Sequence, residues 1–208
     1  MTEATSSPKQ EQPLAERPVD GRRARRERGR VAVSDAMVDL VFEGFTPPSA
    51  EQVAARAGVS VASLYRYFET LDDLRHHTVA RYFERYDYLF AIPSIGEGPL
   101  SARIDGFVSA RLLLHETTAP MSRLVRTRGD QQLPRDTIER VRATTADQIR
   151  NHFDHELGSL TAAARDDLVA VINVLTSFES WDQMRHSSGR SKMQTARSWN
   201  SAIRAVLE

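Results

Sequence analysis

The chain has 208 residues, of which 40% are hydrophobic and 27% charged, and its formal net charge is zero. It contains no cysteine, which excludes disulfides, a thiolate zinc site and a cysteine nucleophile. The zero balance argues against non-specific nucleic-acid binding by the chain as a whole. No apolar run approaches a membrane span, and the N-terminus lacks the apolar core of a secretory signal, so the expected setting is the cytoplasm with no membrane partner.

Residues 1–21 are polar and interrupted by Pro8, Pro13 and Pro18, which predicts a disordered tail. The stretch RRARRERGR (22–30) then holds six arginines against one glutamate. It reads as a basic arm, with Arg22, Arg23, Arg25 and Arg26 as candidate phosphate or minor-groove contacts. An arginine run is otherwise a solvated face. The arm leads into a helix over VAVSDAMVDLVFEGF (31–45), whose apolar residues follow a 3.6 period and which Gly44 and Pro47-Pro48 end.

Ser49, with Gln52 three residues on, predicts a capping box opening a short helix, AEQVAARA. Gly58-Val59 makes a turn, Ser60 caps a second short helix, VASLYRYF, and Thr70 caps a longer one over about 71–90. Two short helices joined by a glycine turn form a helix-turn-helix, with Val53, Ala54, Ala57, Val59 and Leu64 spaced to pack them together. The exposed face of the second helix is then Val61, Ala62, Ser63, Tyr65, Arg66 and Tyr67. Such a helix reads the major groove through its N-terminal residues. Small residues at 61–63 permit close approach, and Ala62 or Val61 can meet a thymine methyl. Arg66 can donate to guanine or to phosphate, and the tyrosine hydroxyls suit phosphate oxygens. The helix starts at Ser49, Ser60 and Thr70 add backbone donors. The same tyrosines are also compatible with half-buried core positions.

AIPSIGEGPL (91–100) predicts a loop and a boundary. Helices are expected at about 101–116, 119–128, 134–157, 161–187 and 191–207, for an all-α chain of about nine helices. The helix over 161–187 is apolar nearly all round and the last one carries a clear stripe. Leu175, Trp181, Ala196, Trp199, Ile203 and Leu207 are therefore candidates for a homodimer interface, as in a four-helix bundle, unless both helices close the chain's own core. A two-fold dimer implies a palindromic site on DNA. His152 and His155 stand at i, i+3, too few ligands for a catalytic metal, and His76-His77 cannot share one. No Ser-His-Asp grouping, phosphate loop, HExxH or CxxC occurs, so neither an enzyme nor a cofactor is expected.

EQVAARAGVSVASLYRYFETLDDL, with Phe42, Gly44 and Phe45 upstream, resembles the DNA-binding domain of the TetR family of bacterial transcriptional regulators over residues 30–90. The resemblance implies an N-terminal three-helix bundle with a helix-turn-helix over 22–70 and a helical ligand-binding and dimerisation domain over 71–208. It puts Ser63, Tyr65, Arg66 and Tyr67 on the family's base- and phosphate-contacting positions. It implies a ligand-responsive regulator, most often a repressor, with a double-stranded operator and a small-molecule effector as partners. An effector-independent or partner-controlled DNA-binding protein, or an activator, is the alternative. The family's effector cavity lies among helices 4 to 8, where Phe83, Tyr86, Phe107, Arg111, Met121, Phe153, Asn173 and Phe178 are the inward candidates, suited to a mainly apolar molecule. Leu71 and Val61 stand where the family often has lysine, which weakens the salt-dependent part of DNA affinity.

Overall fold

The structure, a computed structural model, describes residues 21–126 and 135–208. The tail expected over 1–21 lies outside them apart from Gly21, which opens the first helix. The elements are α1 (Gly21–Phe42), α2 (Ala50–Ala57), α3 (Val61–Tyr67), α4 (Leu71–Tyr86) with a 3-10 turn (Asp87–Phe90), α5 (Leu100–Arg126) and α6 (Arg135–His152). There follow α7 (Asp154–Leu157), α8 (Ala162–Leu175), α9 (Phe178–Asp182) with a π turn (Gln183–Ser187), and α10 (Lys192–Leu207). The described residues thus form ten α-helices and no strand, so the all-α expectation holds.

The predicted helix edges moved where local breakers and tertiary packing disagreed. The basic arm is the first turns of α1 rather than a separate arm. The helices expected at 101–116 and 119–128 are one helix, α5, with Pro120 inside it. Proline removes one backbone bond, a cost of about 3 kcal/mol. Thr118, Ala119 and Met121 are buried around it, which holds the helix together across the gap. Conversely, the helix expected over 161–187 stops at Thr176, whose hydroxyl donates to the Ile172 carbonyl at 2.8 Å. Ser177 then caps α9 by accepting from the Ser180 amide. The helix expected over 134–157 breaks at Phe153, which is fully buried against Phe107.

Three apolar clusters organise the chain. Val33, Ala36 and Leu40 of α1 close on Val53, Ala54, Leu64, Phe68 and Leu74, binding α1 to α2, α3 and the start of α4. The next face of α1, Val38 and Val41, meets Tyr82 of α4 and Met121 of α5. The largest cluster joins α5, α6, α8, α9 and α10. Helix α1 therefore touches the helix-turn-helix on one side and α4 and α5 on the other.

Candidate nucleic-acid interface and buried cavity

The helix-turn-helix is built from local chemistry. The Gln52 amide donates to Ser49 Oγ at 3.3 Å and the Ser49 amide to Gln52 Oε1 at 2.8 Å, a reciprocal capping box that starts α2. Gly58 ends it with φ of 67°, a left-handed conformation that is strained for a residue with a β-carbon. Ser60 caps α3 through the Ser63 amide at 3.1 Å, and Thr70 caps α4 through the Asp73 amide at 3.0 Å. Each of these three hydroxyls is thus committed to its own helix start.

The outer face of α3 carries Ala62, Tyr65 and Arg66, all exposed, with Tyr65 at 58%. Ser60 Oγ donates to Ser63 Oγ at 3.0 Å, and Arg66 Nη2 donates to the same Ser63 oxygen at 3.0 Å. This chain holds the arginine along its own helix. Two residues expected on that face turn partly inward. Val61 and Tyr67 are half-buried and pack against the α1–α3 cluster, because one side of a seven-residue helix must face the core. Arg22, Arg23, Arg25 and Arg26 are exposed on the first turns of α1. Arg26 also reaches the Tyr67 carbonyl at 3.4 Å and Glu69 at 3.8 Å. Arg30 sits over the Phe68 ring at 5.1 Å and pairs with Asp73 at 2.7 Å. The side chain of Leu71 lies outside the description.

Helix α4 is braced to α1 along its length. Arg81 pairs with Asp35 at 3.0 Å and Arg85 with Asp39 at 2.7 Å, while Phe42 stacks on Tyr86 at 4.9 Å. Sequence reading had missed these pairs, although each lies one helical turn from the next on its own helix.

On its other side α4 borders a cavity of about 350 Å³. Val79, Tyr82 and Phe83 line it from α4, and Arg111, Leu114, His115, Thr118, Met121 and Val125 from α5. Asn173 and Phe178 close it from α8 and α9. Five of the expected lining residues, Phe83, Arg111, Met121, Asn173 and Phe178, are therefore there. Three are not. Tyr86 faces α1, and Phe107 and Phe153 fill the core beneath. The α5 stripe recurs at helical spacing, and the reading that broke the helix at Pro120 concealed it.

Buried polar groups mark the cavity wall. His115 Nε2 lies 2.9 Å from the Thr176 carbonyl, so this nitrogen carries the proton; burial pushes the imidazole down to about 4, so it is neutral at pH 7. Arg111 donates through Nη2 to Gln148 Oε1 at 2.8 Å, and burial lowers it to about 10, which leaves it charged. At the exposed rim Arg126 lies over Phe178 at 4.4 Å and pairs with Glu179 at 3.0 Å.

The expected dimer residues divide by burial within the single chain. Trp181, Trp199 and Ile203 are buried inside the single chain, and Leu175, Ala196 and Leu207 pack against the same cluster. The stripe of α10 faces α5 of its own chain. His152 and His155 are also separated: His152 is buried, its Nδ1 accepting from the Gly96 amide at 3.1 Å and its Nε2 donating to the Arg103 carbonyl at 2.9 Å, while His155 is exposed. Among the described residues no group of three acidic or histidine side chains could hold a metal, and no helix is long and apolar enough to cross a membrane.

An all-helical chain that presents a capped helix-turn-helix beside an arginine-rich helix has the architecture of a helix-turn-helix regulator. Residues 41–78 match the family of bacterial regulatory proteins, tetR family. No curated protein matches the chain. The fold is similar to a transcriptional regulator from Rhodococcus sp. Rha1, with a TM-score of 0.55 and 18% identity over 88% of this chain and 95% of that one. It is also similar to a protein of Mesorhizobium loti MAFF303099 assigned to the TetR family of transcriptional regulators, with a TM-score of 0.51 and 19% identity over 89% of this chain and 96% of the other. The family match thus lies over the helix-turn-helix, and the two solved structures share the fold along most of the chain.

Proposed function

We propose that the chain is a cytoplasmic repressor that binds a palindromic operator as a homodimer and is released by a mainly apolar small molecule. Residues 22–70 read DNA in this scheme, and residues 71–208 bind the effector and pair with a second copy. The protein acts by binding, not catalysis. Arg66 and Ala62 face base edges, Tyr65 and Ser63 fix the helix on the backbone, and Arg22, Arg23 and Arg25 lie along flanking phosphates. For the dimer, exposed apolar residues on the C-terminal helices are Val171 and Val174 of α8, 51% and 70% exposed, with Leu113 of α5 and Met193 of α10.

The observation that carries the effector half is that α4 is shared. Val79, Tyr82 and Phe83 line the cavity, while Asp73, Arg81 and Arg85 of the same helix hold α1. A ligand with higher affinity for a displaced α4 shifts the population toward that state. Through the Asp35 and Asp39 pairs α1 follows, and the two reader helices of the dimer lose the spacing of successive grooves. An effector-free regulator would have no use for an open volume at this place.

The test is selection from randomised duplex DNA by the purified protein at two salt concentrations, followed by sequencing. The reading requires a palindrome with half-sites about one or two helical turns apart. Enrichment of no sequence, with binding lost at the higher salt, would show that the arginines of α1 alone hold DNA.

A further inference from the structure

We infer that the effector is a monoanion: an apolar body filling the cavity with one carboxylate seated on Arg111. The inference rests on reading the cavity as the effector site and adds the chemistry of its occupant.

Arg111 is 2% exposed and lines the cavity. It has no carboxylate partner among the described residues. Its bonds are to neutral acceptors and both leave from Nη2, to Gln148 Oε1 at 2.8 Å and to the Thr145 carbonyl at 3.5 Å. Nε and Nη1 meet no acceptor there. The other buried arginine among the described residues, Arg103, is treated differently: Glu156 takes it with both carboxylate oxygens, and the Gly98 and His152 carbonyls complete its shell. A buried charge without a counter-ion is costly, and the planar fork of a guanidinium matches a carboxylate with two parallel bonds.

The rest of the wall agrees in sign. Besides Arg111, its charged side chains among the described residues are Arg126, Arg142 and Glu179, two cations and one anion. Glu179 is already taken by Arg126 at 3.0 Å and Arg142 at 3.7 Å. A monoanion therefore enters a site with positive charge to spare, whereas a cation would find Glu179, the acid on the described wall, already paired. The remaining wall, with Val79, Tyr82, Phe83, Leu114, Met121 and Phe178, offers apolar and aromatic contact for the body.

The experiment uses the full chain and N-phenyl-1-naphthylamine, a neutral apolar dye, as reporter of cavity occupancy. Decanoate, 2-naphthoate and 4-butylbenzoate are compared with their primary amides as displacers, on the wild type and on R111M and R111K. At least one acid should displace the dye about tenfold better than its amide, as a charge-assisted pair predicts. R111M should abolish that preference and R111K should keep part of it. If the dye binds and every amide equals or exceeds its acid, the anion inference is overturned while the cavity reading stands. If neither the dye nor any displacer binds, both are overturned. The acid-to-amide ratio of the wild type decides the matter even where R111M does not fold.

Discussion

The ring of Tyr67 lies directly on the backbone of Gly29, so close that a β-carbon at Gly29 would sit 2.4 Å from the ring. This contact seats α3 on α1, and it needs glycine for space rather than for backbone conformation. Gly29→Ala should push Tyr67 out and tilt α3, with a loss of about 1–2 kcal/mol of stability and a larger loss of operator binding. In a chain already carrying Tyr67→Ala, the ring is gone and alanine favours the helix by about 1 kcal/mol over glycine. The same Gly29→Ala change should then be neutral or stabilising. Denaturant melts of the four chains measure the coupling; additive effects would show that the two residues act independently.

Arg66 and the arginines of α1 should separate by salt. Arg66 is steadied by Ser63 on the reader helix, whereas Arg25 stands on the outer turns of α1. Arg66→Ala should cost about 1–3 kcal/mol against the selected operator and relax preference at one base of each half-site. Arg25→Ala should weaken all sequences alike and reduce the salt slope by about one unit per site. Binding titrations on operator and scrambled duplex at several salt concentrations distinguish the two. Equal losses on both duplexes for Arg66→Ala would make it a phosphate contact.

The helix-turn-helix was legible because its signals are local. Ser49, Gln52, Gly58, Ser60 and Thr70 act within three or four residues of themselves, and the structure has each of those caps and turns where spacing put them. What failed was long-range. Pro120 reads as a break until the buried residues on both sides of it are known, and with it went the α5 stripe that lines the cavity. Trp199 and Ile203 make the same stripe whether they face a second copy or α5, and only packing separates the two. Tyr67 and Val61 sit on a helix so short that one residue of rotation decides whether they face DNA or the core.

Filling the cavity should separate the two activities. Leu114 and Val125 both line it from α5, and neither touches the helix-turn-helix cluster. Leu114→Phe with Val125→Phe adds volume into space already empty, a change that typically leaves stability level or raises it by about 0.5–2 kcal/mol. Operator affinity should stay within about twofold, and binding of the dye and release from DNA by any effector should be lost. A filled variant that still responds to an effector would place the effector site elsewhere.

His115 sets a pH dependence whose sign follows from its burial. Burial lowers its folded pKa to about 4, against 6.5 for an ordinary histidine, and the Arg111 charge pushes the same way while the Thr176 bond opposes. Between those values the unfolded chain binds a proton that the folded chain refuses. Stability from this site is therefore present above pH 6.5 and falls as pH is lowered toward 4, by about 2 kcal/mol at pH 5 and about 3 kcal/mol in all. Burial shifts His152 in the same direction, so some of the acid sensitivity belongs to that residue. His115→Gln keeps a nitrogen donor that can meet the Thr176 carbonyl but has nothing to titrate. Its stability at pH 7 should fall by about 1 kcal/mol for the imperfect fit, while its loss between pH 7 and pH 5 should be about 2 kcal/mol smaller than that of the parent. Urea melts at the two pH values measure the difference. Equal losses in the two chains would mean that His115 is protonated in the folded state at pH 5, and that the cavity wall is wetter than its burial implies.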